Sequence, residues 1–255
     1  MDYLNYGKKV QQKPQGFGQQ KAQFTKNDFS FGDLSSQPVP PPVEPQTKDE
    51  LLQLFPTPVL ISSYPFDYSK ELEWIKNQSC RKPNVSQVGQ NLNQQSTDTF
   101  ILDNSEMSRV KQFIDSKLKE FVVNIMGSDA EMVITQSWLN RNNKGQSHHE
   151  HSHPNSMVSG VWYPQMHEKL PPIQFKIGQQ RGVSFSIEKY NHFNNETFIL
   201  PMKRGELILF PSNLQHSVPV NQSDEERISL SFNTWCKGSL GNLKSLTYLP
   251  FDRLL

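Results

Sequence analysis

Seven short β-prone runs follow one long amphipathic helix, and that order limits the folds open to this chain more than any other feature. The runs are 131–142 (EMVITQSWLNRN), 156–164, 173–178, 183–188, 196–201, 205–211 and 226–236 (ERISLSFNTWC), divided by Gly, Pro, Asn and Asp turns. Ahead of them, Met107, Val110, Phe113, Ile114, Leu118, Phe121, Val122 and Ile125 recur at spacings of three and four, and Gly127 supplies a stop. This predicts a helix over 105–126. Its apolar stripe needs a surface to cover, and the rest of the chain is almost entirely strand-like, so the expected domain is mainly β (α+β), with helices packed on a β-sandwich or double-sheet barrel. Before the helix, PVLISSY reads as a strand, SKELEWIKNQ as a helix with Leu72 and Ile75 on one face, and DELLQLF as a short amphipathic turn.

Residues 1–47 have a different character. They are rich in Gln, Lys, Gly and Pro, end in QPVPPPVEPQ, and show no sustained apolar period. A disordered or extended arm is expected, with Pro38 to Pro45 as a stiff spacer and a domain over 48–255. Phe17, Phe24, Phe29 and Phe31 are scattered along the arm, where they offer anchors for a protein partner. Basic and acidic residues number 26 and 25, for a formal charge of +1, which argues against a nucleic-acid footprint. Cys80 and Cys236 are far apart and make no disulfide framework. No apolar run approaches the roughly 18 residues that cross a bilayer. A soluble, cytoplasmic protein is expected.

All seven histidines lie between His148 and His216, four of them in HHEHSHPNS, 148–156. On an extended chain, alternate side chains point the same way, so His151 and His153 can share one metal. A third ligand must come from elsewhere, and His216, after GELILF and the turn PSN, is the best placed. Three such ligands leave half an octahedron open, as oxygen-activating iron requires. A solvated polar loop is the plain alternative. After His216, Arg227, Ser229, Ser231 and Asn233 alternate with Ile228, Leu230 and Phe232, giving one polar and one apolar face. That is either an outer strand with a wet face or, with a guanidinium fork and a hydroxyl two residues on, a seat for a buried carboxylate. Gln136, Trp138 and Asn140 share a face of another strand; Asn140 is a further pocket candidate, while Trp138 reads as core packing.

Three ordered blocks, H-x-H-P-N-S-x-x-S-G-V-x-Y, G-E-L-I-L-F-P-S-x-L-x-H-S-V-P and E-R-I-S-L-S-F-N, resemble the iron(II) and 2-oxoglutarate-dependent oxygenase superfamily, in particular the oxygenases common in tailed phages of marine cyanobacteria. The resemblance runs from about Leu54 to the C-terminus and includes LFPTPV and KGSLGNL. It implies a double-stranded β-helix, or jelly roll, with supporting helices on one sheet. It also implies Fe(II) and 2-oxoglutarate as cofactors, His216 as the distal iron ligand, Arg227 as the anchor of the far carboxylate with Ser229 beside it, and Tyr163 touching the same group. Read without the resemblance, Tyr163 is a core aromatic with a satisfied hydroxyl. The superfamily's first ligand pair is H-x-D or H-x-E, whereas the aligned pair here is His151 and His153. The rival set is His148, Glu150 and His216, which restores H-x-E and leaves His151 and His153 to brace the ligands. His149, His167 and His192 read as solvated.

The function that the resemblance implies is oxidation of a second, unspecified substrate with formation of succinate and CO2. Two other readings stay open. One is a catalytically silent jelly-roll binding or virion-associated module docked through the arm, and the other is a different metal enzyme on a cupin-like barrel, for which Arg227 has no special duty.

Overall fold

The computed structural model describes residues 55–82, 92–177, 186–191 and 193–251. The arm over 1–47, all but Phe55 of the amphipathic turn that begins the expected domain, residues 183–185 of the run 183–188, and His192 lie outside the described residues. Those described fall in one unit, Gln53–Leu255.

Two antiparallel sheets form the body. Strands β1 (Leu60–Ser63), β2 (Cys80–Arg81), β3 (Gln94–Ser96), β4 (Met132–Asn142), β6 (Val158–Gln165), β9 (Glu206–Pro211) and β11 (Arg227–Cys236) make the larger sheet, in the order β1-β9-β6-β11-β4-β3-β2. Strands β5 (His148–His151), β7 (Ile173–Lys176), β8 (Thr197–Leu200) and β10 (Gln215–Val218) make the smaller one, in the order β5-β10-β7-β8. Helices α1 (Ser69–Lys76) and α2 (Ser108–Glu120) support the larger sheet. This is the mainly β, double-sheet architecture with N-terminal helices that the helix-then-strands order predicts, and it agrees with the jelly roll that the resemblance implies. No helix among the described residues is long and apolar enough to cross a membrane.

Alternation along the central strands decides which core each residue joins. Leu207 and Leu209 of β9, Trp162 of β6, and Ile228, Leu230 and Phe232 of β11 pack with Val110, Ile114, Leu118 and Phe121 into the core beneath the helix. Their neighbours Ile208, Phe210, Val161 and Tyr163 turn the other way and join Ile173 and Phe175 of the smaller sheet. A side chain at Gly160 would lie 2.1 Å from the buried ring of Phe232, so this strand crossing admits only hydrogen.

The helix predicted over 105–126 is not uniform. A 3-10 turn, Ser105–Met107, opens it, and a π-helical turn, Phe121–Ile125, closes it before Gly127 at φ 65°. The π turn is wider than an α turn and rotates later residues off the stripe. Phe121 and Val122 are buried, while Ile125, expected on the apolar face, is exposed.

Candidate metal and oxoacid site

Three of the four histidines of 148–156 do not sit in a loop. His148–His151 is itself the edge strand β5, paired with β10 so that His151 faces His216 and His148 faces Val218. Three steps on β5 thus match two on β10, and this bulge turns His148 and His151 to the same face. Their rings stack at 4.5 Å. His153 lies beyond the strand, where its N–H donates to the Ser212 carbonyl (2.9 Å) in the turn before β10. That bond draws the second half of H-x-H toward His216, which sits on β10 rather than at a loop end.

The result is a three-imidazole cluster. One nitrogen each of His151, His153 and His216 lies within 4.8 Å of the others. His153 Nε2 is 3.2 Å from His216 Nε2, close to the roughly 3.0 Å that separates cis ligands when each metal–nitrogen bond is about 2.1 Å. His216 Nδ1 lies 3.0 Å from the Leu214 carbonyl and His151 Nδ1 lies 2.8 Å from the His149 carbonyl. A carbonyl only accepts, so both Nδ1 atoms carry hydrogen and both Nε2 lone pairs are free for a metal. Burial pushes the His216 imidazole down to about 4 and His153 to about 3, with neighbouring imidazoles adding to it. His151 is lowered for the same first cause, partly offset by its bond to the His149 carbonyl. The rings are therefore neutral near pH 7, the form that ligates. This donor set fits a divalent transition metal.

The rival set His148, Glu150 and His216 is not assembled. Glu150 is exposed and its carboxylate pairs with Lys176 of β7. His148 does face inward; burial, then the His151, His149 and His216 rings and Arg227, hold its pKa well below the usual value. His149, expected to be solvated, is half-buried with Nδ1 enclosed and unpartnered. His167 lies 3.0 Å from Glu225, also half-buried.

The polar face of β11 points between the sheets, not to solvent. Arg227 is 2% exposed. Its Nε donates to the Pro171 carbonyl (3.1 Å) and its Nη1 to Ser229 Oγ (3.1 Å). The guanidinium lies over the Tyr163 ring at 5.2 Å. Tyr163 is wholly buried; its hydroxyl oxygen faces the Arg227 guanidinium, and its hydroxyl proton has no acceptor. Burial pushes that hydroxyl up to about 12 against the opposing pull of Arg227, so it stays a donor. Burial also lowers the Arg227 pKa, though a guanidinium remains charged. Among the described residues, none of the ion pairs involves Arg227. Among the described residues, Arg227 is thus a buried cation with no acidic partner beside the Tyr163 hydroxyl, and such an arrangement can receive an anion.

Asn140 is tied elsewhere: Nδ2 donates to Ser231 Oγ (2.9 Å) and Oδ1 accepts from Asn93 (2.9 Å). Gln136 is exposed, and Asn233 accepts from Ser159. Trp138, read as core packing, lies beside His153 with ring centres 5.9 Å apart and its indole N–H unpartnered. Sequence reasoning stopped one step short of Asn142, whose Oδ1 is 3.5 Å from Arg227 Nη1. The alternation that groups Trp138 with Asn140 also reaches Asn142, and that was the signal in the sequence.

Residues 136–233 match the model of a family described as "Putative 2OG-Fe(II) oxygenase". The matched segment contains the three clustered histidines, Arg227, Ser229 and Tyr163. No curated protein matches the chain in sequence. Among solved structures, the chain is similar to an oxidoreductase of the 2OG-Fe(II) oxygenase family from Burkholderia pseudomallei, at 12% identity and TM-score 0.50, over 69% of this chain and 83% of that one. It is also similar to the non-heme alpha ketoglutarate dependent epimerase SnoN from nogalamycin biosynthesis, at 11% identity and TM-score 0.53, over 72% and 80%. A further SnoN structure, in complex with Fe3+, alpha ketoglutarate and nogalamycin RO, aligns at 11% identity and TM-score 0.51, over 70% and 78%. At these identities the likeness is one of fold: the jelly roll of the 2OG-Fe(II) oxygenases.

Proposed function

We propose that this chain is an Fe(II)- and 2-oxoglutarate-dependent dioxygenase of the hydroxylase type, with His151, His153 and His216 as metal ligands. The observation that carries the reading is the buried, acid-free Arg227 on the inner face of the same jelly roll that gathers three neutral imidazoles. A dicarboxylate oxoacid suits both ends, because its oxoacid end can chelate a metal while its far carboxylate meets a guanidinium fork. When bound, Fe(II) and 2-oxoglutarate supply oxidative decarboxylation to succinate and CO2, coupled to oxidation of a second substrate.

The chain's own residues bind and orient. The Nδ1–H bonds of His151 and His216 hold their rings with Nε2 inward. Ser229 and the Pro171 carbonyl lock the Arg227 fork, and Tyr163 keeps its proton to donate. Trp138 walls the His153 side. No carboxylate belongs to the proposed ligand set, so a bound metal and the guanidinium together would make the cavity strongly cationic and suited to a dianion.

Fe(II)-dependent conversion of labelled 2-oxoglutarate to succinate is the test. Arg227→Ala is expected to weaken oxoglutarate binding by roughly 10- to 100-fold, the scale of about 1.5–3 kcal/mol for a hydrogen bond to a charged group, while sparing the metal. His216→Ala is expected to lose both. Wild-type turnover in either variant overturns the assignments. The carboxylate-free ligand set also favours a second reading, a silent binding module, which would take up metal and oxoglutarate without releasing succinate.

A further inference from the structure

The Arg227 cradle holds a donor that the proposed function leaves unused. Asn142 ends β4, paired in register with Arg227 at the start of β11, and is 0% exposed. Its backbone carbonyl accepts from Asn221 Nδ2 (2.9 Å), which fixes the residue in place. Its Oδ1 faces Arg227 Nη1 at 3.5 Å. A guanidinium has only donors, so the amide must turn its oxygen there, and Nδ2 must point away. That Nδ2 is buried and has no partner. An enclosed N–H held by its own oxygen, beside an arginine without a counter-ion and a tyrosine without an acceptor, is a group waiting for an acceptor.

We infer that Asn142 is a selectivity residue for the co-substrate: its Nδ2 donates to the far carboxylate of the oxoacid held by Arg227, and so favours a dicarboxylate over an oxoacid with an uncharged tail. The inference rests on the oxygenase reading. It adds a fourth donor to Arg227, Ser229 and Tyr163, which together offer one carboxylate a full set of partners with no competing acid. The same geometry explains why an amide and not an acid stands here. An aspartate has the same shape, but it would neutralise Arg227 from within and meet the incoming carboxylate with like charge.

Two variants of the full-length protein, Fe(II)-loaded under argon, test this by calorimetric titration. The ligands are 2-oxoglutarate and 2-oxopentanoate, which has the same chain length and a methyl where the far carboxylate would be. Asn142→Asp is expected to weaken 2-oxoglutarate by roughly 100-fold or more, leave 2-oxopentanoate and metal affinity unchanged, and raise or hold the melting temperature of the metal-free protein, because the buried guanidinium gains a counter-ion. Asn142→Ala is expected to weaken 2-oxoglutarate by roughly 10- to 100-fold, one charge-assisted bond, and it decides the matter if the aspartate variant does not fold. A purely structural asparagine would lower stability in both variants and leave the preference between the ligands intact. Variants that keep the wild-type preference overturn the role of Asn142 and leave the oxygenase reading standing. A wild-type protein that does not prefer 2-oxoglutarate overturns both.

Discussion

For single residues, the chemistry of the site is set by protonation. His153 titrates at about 3 and His216 at about 4, chiefly because burial disfavours the charged ring. An unfolded histidine titrates near 6.5. Between pH 6.5 and about 4 the unfolded chain therefore binds protons that the folded chain refuses. The stability these rings contribute is complete above pH 6.5 and is lost as pH falls through that window. The melting temperature of the metal-free protein is expected to fall steadily from about pH 7 to about pH 4.5. A His153→Asn, His216→Asn double variant should flatten that slope; an unchanged slope would place the acid sensitivity elsewhere. The H-x-H spacing identified two of the three rings but misplaced the reason for their meeting. His151 faces His216 because of a bulge, and His153 because its backbone is bonded to Ser212. Neither follows from spacing alone, since both depend on a partner strand distant in sequence.

Among elements, β9 gives the clearest division of labour. Leu209 faces the core beneath the helix, whereas the adjacent Phe210 faces the other core and lies 5.0 Å from the His216 ring. Leu209→Ala is expected to cost about 2–5 kcal/mol in urea unfolding with metal affinity unchanged. Phe210→Ala should cost about 3–5 kcal/mol and also weaken metal binding, because the His216 ring loses a wall. Equal metal affinity in the two variants would show that the inner core does not support the site. β11 shows the limit of pattern reading. Its alternation correctly separated Arg227, Ser229 and Ser231 from Ile228, Leu230 and Phe232, but period two says only which residues share a face. Which face is enclosed depends on the second sheet. The wider π turn that removes Ile125 from the helix stripe has no mark in a three-and-four pattern either.

Across the whole molecule, the two sheets and the helix separate stability from chemistry. The core beneath α2 is dominated by aliphatic and aromatic side chains. The space between the sheets mixes an apolar cluster with the histidines, the guanidinium and unpaired donors. Leaving such groups unsatisfied weakens the empty fold, so a ligand that satisfies them should stabilise it. Metal plus 2-oxoglutarate, each at about 100 times its dissociation constant, is expected to add up to about 2.7 kcal/mol for each independently bound ligand, seen as a rise in melting temperature that a chelator reverses. Arg227→Ala should keep the response to metal and lose most of the response to oxoglutarate. A melting temperature indifferent to both ligands would sink the site.

The sequence by itself determined what neighbours along the chain can decide: where the helices and the longer strands lie, which residues share a face, and that histidines crowd into one stretch while Arg227 stands two residues from Ser229. Those properties follow from the short periods of regular backbone. Only the tertiary structure decided that the polar face of β11 is enclosed, that Glu150 turns out to Lys176 while His148 turns in, and that the Asn142 amide presents an unpaired N–H beside the guanidinium. Each depends on a through-space partner that is distant along the chain. Burial gives such groups their chemistry, because it changes a proton affinity or leaves a donor unmet, and burial belongs to the assembled sheets and not to any one strand.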